Sequence, residues 1–232
     1  VIILLDKHLS ESCWSYPFFD EPVEVRRGPW ATDDEIKAAQ ASGQRYKRYS
    51  FDAPDGVSKR VIPGQHKNAI FIANSDEHDE YGYSSEEIDN RVKMSSKRLS
   101  KAAAFEKVMP KPNIFGPKDA DLTITCWGSS KEMVLEAIKW LNDEGYKVNA
   151  LHLTYIAPFP TQAVTQALEN AKVILNVEHN ATAQMAGVIR EHTGVKIENN
   201  LLRNDGRIIY PEMIADKVRE LLGPVPGKEV GQ

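Results

Sequence analysis

The chain has little cysteine, no excess of positive charge and no long apolar run. Its 232 residues include two cysteines, and the formal net charge is -4 with a sequence pI near 5.9. Cys13 and Cys126 are far apart, so they form neither a CxxC pair nor the cradle of an iron–sulfur cluster or zinc ion. An acidic balance provides no broad basic surface, which argues against nucleic acid as a partner.

The apolar segments are too short to cross a membrane. The opening run Val1–Leu5 is also too short for the core of a signal peptide, and Asp6 follows it directly. We therefore expect a cytoplasmic protein with no membrane partner. An apolar content of 41% is enough for a real core, in one large domain or in one domain with an appendage.

The first part of the chain resembles the end of one domain followed by an arm. A run of β-branched and leucine residues such as Val1–Leu5 is typical of a strand covered on both faces, which needs neighbouring strands. We interpret residues 1–12 as the last strand and the start of a helix of a truncated domain. Residues 13–68 are predicted to be an irregular linker or arm, with one helix from Thr32 to Ser42 that Thr32 caps. Long irregular segments usually carry function or an interface.

Residues 69–223 are predicted to form an α/β domain with a mostly parallel sheet. A short strand over Ala69–Ala73 precedes a helix that begins at Ser84, which lies at capping-box spacing from Glu87, and reaches Val108. From Asp121 onward strands and helices alternate, which favours right-handed crossovers between parallel strands. The predicted strands are 122–127, 148–155, 173–178 and 195–201, and the predicted helices are 131–142, one from 161, one ending near 194, and 211–222. Residues 224–232 are interpreted as a flexible tail.

Three turns follow successive predicted strands and therefore share the carboxyl edge of the sheet, where ligands or partners usually bind. They carry Ser129, Phe159 and the pair Glu178 and Asn180. Ser129 starts a helix and could hold a phosphate, but capping together with Glu132 is favoured because no lysine or glycine-rich run follows. Glu178 and its neighbour leave the strand in opposite directions, which disfavours a metal site there.

Two polar loops are too rich in charge and glycine to belong to a core: residues 55–60 and residues 77–82. The second loop could chelate a cation, but it lacks the spacing of a calcium loop, so solvated or ion-paired carboxylates are favoured. In the first loop, Arg60 with Ser58 could bind a carboxylate or phosphate, and a simple loop salt bridge remains equally open. These patterns predict no catalytic residue and no metal ligand.

Five segments, in sequence order, resemble signatures of the alpha subunit of 2-oxoacid:ferredoxin oxidoreductases. They are Asp55–Gly64, Glu77–Gly82, Trp127–Ser129, Pro158–Pro160 and Val177–Gln184. The resemblance covers nearly the whole chain and indicates the C-terminal portion of that subunit. The acidic loop is most similar to the 2-oxoglutarate-type branch of the family.

This resemblance implies a thiamine-diphosphate enzyme that oxidatively decarboxylates a 2-oxoacid, such as 2-oxoglutarate or pyruvate, with coenzyme A. Electrons would pass through a [4Fe-4S] cluster to ferredoxin. The resemblance also implies that the segment is a three-layer α/β/α domain like the C-terminal domain of transketolase. Thiamine diphosphate, Mg2+ and the cluster would be held by upstream residues and a beta subunit, with no cofactor bound by this segment alone.

The family resemblance further implies where this segment acts. A beta subunit, a second alpha subunit and ferredoxin are the expected partners, and the isolated segment is expected to be inactive. The residues expected to lie in the active-site surroundings or an interface are Asp55, Ser58, Arg60, Glu77, His78 and Asp79. Two alternatives remain: a pure subunit-assembly module, or a C-terminal domain of the transketolase or pyruvate dehydrogenase type.

Overall fold

The computed structural model describes residues 2–20, 22 and 24–225. The chain divides into two compact units, one made of Val1–Tyr16 with Met109–Gln232 and the other of Pro17–Val108. This division differs from the predicted boundary between residues 68 and 69. The reason is that residues 69–108 pack with the arm; for example, Ala69 shares a buried apolar cluster with Ala31, Ile36 and Val61. Residues 226–232 of the predicted tail lie outside the described part.

The first unit contains a five-stranded sheet. Its strands are β1 (Asn113–Phe115), β2 (Leu122–Trp127), β3 (Val148–Leu153), β4 (Val173–Glu178) and β5 (Asn199–Leu202). They are ordered β1-β3-β2-β4-β5, with β1 antiparallel to β3 and all other pairs parallel. The predicted mostly parallel α/β sheet is therefore confirmed, and the short antiparallel edge strand is an addition.

Helices cover both faces of this sheet. They are α4 (Ser130–Glu144), α5 (Thr161–Glu169), α6 (Gln184–Thr193) and α7 (Pro211–Leu222). Strand side chains alternate between faces, so Ala150 packs in the cluster formed with α4 and α7, whereas Leu151 packs in the cluster formed with α5 and α6. Two apolar cores on opposite faces of one sheet make the three predicted layers.

The chain start departs from the predicted strand over Val1–Leu5. Residues 2–5 are irregular, and the side chains of Ile2 and Ile3 are 89% and 76% exposed. A strand needs a hydrogen-bonded neighbour, and none of the described strands pairs with this segment. The predicted helix start is observed as α1 (Lys7–Glu11), which the carboxylate of Asp6 caps.

The second unit contains two helices, α2 (Asp33–Ala41) and α3 (Ile88–Glu106), among long irregular segments. Helix α2 agrees with its prediction, and Thr32 and Glu35 form a capping box. The predicted strand over Ala69–Ala73 is wrong, since these residues lie in irregular backbone.

The boundaries and the buried face of α3 also differ from the prediction. The helix begins at Ile88 because Ser84 is held in a bridge with His78, and it ends before Val108. The expected apolar face is exposed at Val92 and Leu99, to 60% and 72%. The residues that α3 buries are Met94 and Lys97. Within the described residues, no helix is both long and apolar enough to cross a bilayer.

Candidate functional site

The two polar loops lie against the same short segment, Arg48–Phe51. Tyr49 donates its backbone N–H to the carbonyl oxygen of Glu80 at 2.9 Å, and its ring lies 4.3 Å from that of His78. On the other side, the hydroxyl of Ser58 donates to the carbonyl oxygen of Ser50 at 3.1 Å. The structure therefore brings the two predicted loops together, although they are separate in sequence.

Gly56 allows the first loop to pack closely against α3. Its φ is +70°, and a Cβ atom there would lie 2.3 Å from the carbonyl oxygen of Lys97 and 2.5 Å from the hydroxyl of Ser100. Only glycine combines this left-handed backbone with so close a contact. Asp55 stabilises the turn, since its carboxylate accepts the backbone N–H of Val57 at 2.9 Å.

The acidic side chains of the second loop have partners within the loop, on α3 or, for Glu80, on the segment Lys47–Phe51. Glu77 forms a two-bond ion pair with Arg98 at 2.6 and 3.0 Å, and this guanidinium lowers the pKa of Glu77 to about 2. Asp79 accepts the backbone N–H groups of Tyr81 and Tyr83 at 2.8 and 3.0 Å. Ion-paired and turn-forming carboxylates are the outcome that the sequence favoured over chelation.

His78 holds the second loop in place through its backbone carbonyl group and its ring. Its carbonyl oxygen accepts from the side-chain amide of Asn90 on α3 at 3.0 Å, and its ring Nδ1 lies 2.8 Å from the carbonyl oxygen of Asp79. Both loops therefore contact α3, the first through Gly56 and the second through Glu77 and His78.

A pocket of about 190 Å³ opens beside the first loop. Its lining is Gly28, Pro29, Arg48, Tyr49, Val57, Ser58, Arg60, Lys97 and Lys101. Four of these side chains are cationic and none is acidic. Arg60 stacks on the ring of Trp30 at 4.9 Å, and Arg48 stacks on the ring of Tyr49 at 5.0 Å. The pocket can therefore attract an anion.

Lys97 is one of three cationic residues of this pocket that sequence reasoning missed, together with Arg48 and Lys101. Its side chain is buried, and its ammonium donates to the carbonyl oxygen of Tyr49 at 2.7 Å. Burial is the main reason why the pKa of Lys97 falls to about 8, and the like charges of Lys101 and Arg48 add to the effect. Nothing in the sequence distinguishes this lysine from the other basic residues of α3.

The three predicted sheet-edge turns do follow neighbouring parallel strands, in the order β3-β2-β4. Ser129 does not cap α4 with its side chain; its hydroxyl instead donates to the carboxylate of Asp6, so the predicted capping box with Glu132 is wrong. Phe159 is buried, and its ring stacks on that of His192 at 4.8 Å. Ser129 therefore makes a hydrogen bond within this unit, and Phe159 packs in one of its apolar cores.

Glu178 is fully buried at the end of β4 and accepts five N–H hydrogen bonds. Its donors are the side chains of Trp127, Asn176 and Asn180 and the backbone N–H groups of Met185 and Ala186, at 2.6 to 3.4 Å. The last two belong to the first turn of α6, where the helix dipole favours a carboxylate. Glu178 and Asn180 therefore attach α6 to the sheet.

The donor side chains in the described part of the chain do not fit an iron–sulfur cluster or a magnesium ion. Cys126 is buried, which raises the pKa of its thiol to about 12, whereas Cys13 is exposed. A cluster ligand must be a thiolate. Across the described residues, no group of three His, Cys, Asp or Glu side chains is arranged to hold a metal ion.

Comparison with known proteins identifies relatives along nearly the whole chain. Residues 120–214 match the model of the pyruvate:ferredoxin oxidoreductase core domain II. The alpha subunit of 2-oxoacid:ferredoxin oxidoreductase 2 from Aeropyrum pernix is 32% identical over 228 residues, which are 96% of this chain and 34% of that protein. The 2-oxoacid:ferredoxin oxidoreductase alpha subunit from Saccharolobus solfataricus is 34% identical over 226 residues, 95% of this chain and 33% of that protein.

A solved structure agrees with these matches. It is the 2-oxoglutarate:ferredoxin oxidoreductase from Magnetococcus marinus with 2-oxoglutarate, coenzyme A and succinyl-CoA bound. The TM-score is 0.72 at 28% identity, over 85% of this chain and 32% of that chain. The chain thus spans about a third of the length of its relatives, in agreement with the predicted C-terminal portion. It belongs to the family of 2-oxoacid:ferredoxin oxidoreductase alpha subunits.

Proposed function

We propose that this chain is the C-terminal segment of an alpha subunit that works in the oxidative decarboxylation of a 2-oxoacid, with 2-oxoglutarate as the first candidate. In this reaction the 2-oxoacid and coenzyme A yield an acyl-CoA, carbon dioxide and a proton, and a pair of electrons passes to ferredoxin. The observation that carries the proposal is the identity of 32% to the Aeropyrum pernix alpha subunit over 96% of the chain.

The candidate substrate comes from the structural relative. The Magnetococcus marinus enzyme is a 2-oxoglutarate:ferredoxin oxidoreductase with 2-oxoglutarate and coenzyme A bound, and its fold agrees with this chain at a TM-score of 0.72. The acidic loop at Glu77–Glu80 supports the same branch of the family. A transketolase or pyruvate dehydrogenase domain is less well supported, since the named relatives are ferredoxin oxidoreductases.

Thiamine diphosphate, Mg2+ and the [4Fe-4S] cluster belong, in this proposal, to other parts of the complex. Thiamine diphosphate supplies the chemistry that cleaves the bond to the departing carboxylate. The described residues of this segment do not fit the metal groups, because Cys126 is buried and no three of their His, Cys, Asp or Glu side chains are arranged to hold a metal ion. The segment would instead shape the surroundings of the reaction through Asp55, Ser58, Arg60, Glu77, His78 and Asp79.

The test is reconstitution of the full-length alpha polypeptide with its beta partner. We expect reduction of ferredoxin or a viologen dye that requires both 2-oxoglutarate and coenzyme A. A panel with pyruvate and a branched 2-oxoacid in place of 2-oxoglutarate then assigns the preferred substrate. Dye reduction that proceeds without any 2-oxoacid would refute the proposed activity.

A second candidate function, pure subunit assembly, is favoured by the outer face of α3. Ile88, Val92 and Leu99 are 78%, 60% and 72% exposed, and their spacing places them along one side of the helix. An exposed apolar stripe of this kind is suited to a protein interface. If this helix takes part in assembly, Leu99→Ser should weaken the complex in analytical ultracentrifugation, whereas Lys93→Ser, which is exposed on another side of the same helix, should not.

A further inference from the structure

We propose that the pocket formed by Arg48, Ser58, Arg60, Lys97 and Lys101 binds a phosphate-type oxyanion. The site lies wholly within the unit Pro17–Val108. It is a binding site for a phosphate group borne by a larger molecule or for free phosphate. Its existence does not depend on the proposed reaction, because it is tested by binding and not by turnover.

The positive charges that line the pocket have no carboxylate counterion among the described residues. Some cations of this unit have carboxylate partners, such as Lys47 with Glu80 at 2.7 Å, Arg98 with Glu77 at 2.6 Å, and Lys59 with Glu35, whereas others, such as Lys37 and Lys93, are exposed. The four cations that line the pocket form no salt bridge with any described residue and share one concave site. A concentration of unpaired positive charge in a concave site is the arrangement that attracts an anion.

One of these positive charges, that of Lys97, is buried. The side chain of Lys97 is buried at 9% exposure, and an ammonium has three donors. One acceptor is found for it among the described residues, the carbonyl oxygen of Tyr49 at 2.7 Å. Buried charges are costly unless they are paired. The shift of the pKa of Lys97 to about 8 agrees with a cation that lacks its counterion.

The number of cations in the pocket favours phosphate over carboxylate. A carboxylate carries a single negative charge and would leave most of the four cations unpaired, whereas a phosphate monoester carries close to two charges and three accepting oxygens. Guanidinium groups such as those of Arg48 and Arg60 pair with phosphate in bidentate fashion. Because the pocket holds only about 190 Å³, the phosphate would enter it and the rest of a larger ligand would remain outside.

The geometry also explains why the first loop must be rigid. Ser58 is buried, and its hydroxyl is fixed on the carbonyl oxygen of Ser50. Gly56 holds the loop on α3 beside Lys97. The loop therefore sets the position of Arg60 relative to Lys97 before a ligand arrives, which lowers the entropic cost of binding.

The experiment is isothermal titration calorimetry of the full-length subunit in its assembled complex, with inorganic phosphate as the probe. Arg60→Gln and Lys101→Gln should each weaken phosphate binding about tenfold or more, since each removes a charged hydrogen bond. Arg91→Gln, a cation of α3 outside the pocket, is the matched control and should leave the affinity unchanged. Lys101 is exposed, so its variant keeps the test valid if Arg60→Gln fails to fold.

Two further arms identify the source of the phosphate and the class of anion. Adenosine 3′,5′-bisphosphate binding more tightly than inorganic phosphate, with the same sensitivity to Lys101→Gln, assigns the pocket to a nucleotide-borne phosphate; the reverse order assigns it to the free ion. Titration with glutarate, a dicarboxylate, tests whether the pocket prefers carboxylate to phosphate. The proposal is overturned if phosphate does not bind, if Lys101→Gln and Arg91→Gln behave alike, or if glutarate binds the pocket as tightly as phosphate.

Discussion

The ammonium of Lys97 donates to the backbone carbonyl oxygen of Tyr49 at 2.7 Å, from the buried side of a helix on which the apolar residues Val92 and Leu99 are exposed. The same tyrosine contacts the second polar loop through its ring and its backbone N–H. This relationship explains why the two loops form one structure: both are arranged around Tyr49 and attached to α3.

The close contact at Gly56 predicts a large effect of a single methyl group. Gly56→Ala should detach the first loop from α3 and destabilise the local structure by about 2 kcal/mol or more, from backbone strain and overpacking. Gly43→Ala is the matched control, since Gly43 has a similar φ of +73° but no atom within 4 Å of its added Cβ. Hydrogen exchange of the amides of residues 97–101 measures the difference, and equal effects of the two variants would contradict the steric explanation.

The ion pair between Glu77 and Arg98 predicts a pH dependence of loop stability. The pKa of Glu77 is lowered from 4.5 to about 2, so the pair contributes stability above pH 4.5 that is lost as the pH falls toward 2. Because the side chain of Arg98 is 48% exposed, we expect Glu77→Gln to lower the free energy of opening of the second loop by only about 1 kcal/mol at neutral pH. Hydrogen exchange at the amides of Tyr81 and Tyr83 measures this opening free energy, and Glu86→Gln is the control. If Glu77→Gln still lowers the opening free energy at pH 2, the ion pair is excluded as the cause.

Lys97 predicts that anion binding weakens at alkaline pH. Its pKa of about 8 reflects burial first and then the charges of Lys101, Arg48 and Arg98, with Glu80 acting in the opposite direction. Sulfate, which does not titrate in this range, should bind less tightly as the pH rises through 8. Lys97→Arg should remove this dependence because arginine stays charged. A sulfate affinity that falls equally in wild type and variant would contradict the assignment to Lys97.

Buried Glu178 predicts a structural effect at the start of α6. Both carboxylate oxygens of Glu178 accept hydrogen bonds from N–H groups. In Glu178→Gln one of these oxygens is replaced by an NH2 group, which then faces N–H donors and cannot accept from them. We expect the opening free energy at the amides of Met185 and Ala186 to fall by about 1–3 kcal/mol. Glu191→Gln, on the exposed side of α6, should have no effect. An unchanged exchange rate in Glu178→Gln would show that the carboxylate is dispensable.

The strands and helices of the unit that contains the sheet could be predicted, because burial imposes a periodic pattern of apolar residues on them. Strands β2 and β4 and helix α7 were found at their observed bounds, since each buries a continuous or helical pattern of apolar residues. The apolar pattern predicted the wrong buried face for α3. Val92 and Leu99 have helical spacing but are exposed, whereas Lys97 is buried. Spacing identifies a face of a helix, and only packing decides which face is covered.

The candidate site was predictable only in part. Ser58 and Arg60 were identified as anion-binding candidates from their chemistry, and they do line one pocket. Arg48, Lys97 and Lys101 complete it from other segments, and no local pattern relates these segments to the loop. Ser84 shows the opposite failure, because its capping-box spacing with Glu87 was outweighed by its bridge with His78.

The central claim is that the two loops complete an active site and do not serve subunit contact alone. It is tested most directly by 2-oxoglutarate- and coenzyme A-dependent dye reduction in the assembled complex carrying Arg60→Gln or Asp55→Asn, with Arg91→Gln as the control. We predict that turnover falls about tenfold or more in the two loop variants, from the loss of a charged contact, while sedimentation shows the complex intact. Full turnover in both loop variants, or loss of the complex in step with loss of turnover, would contradict the claim.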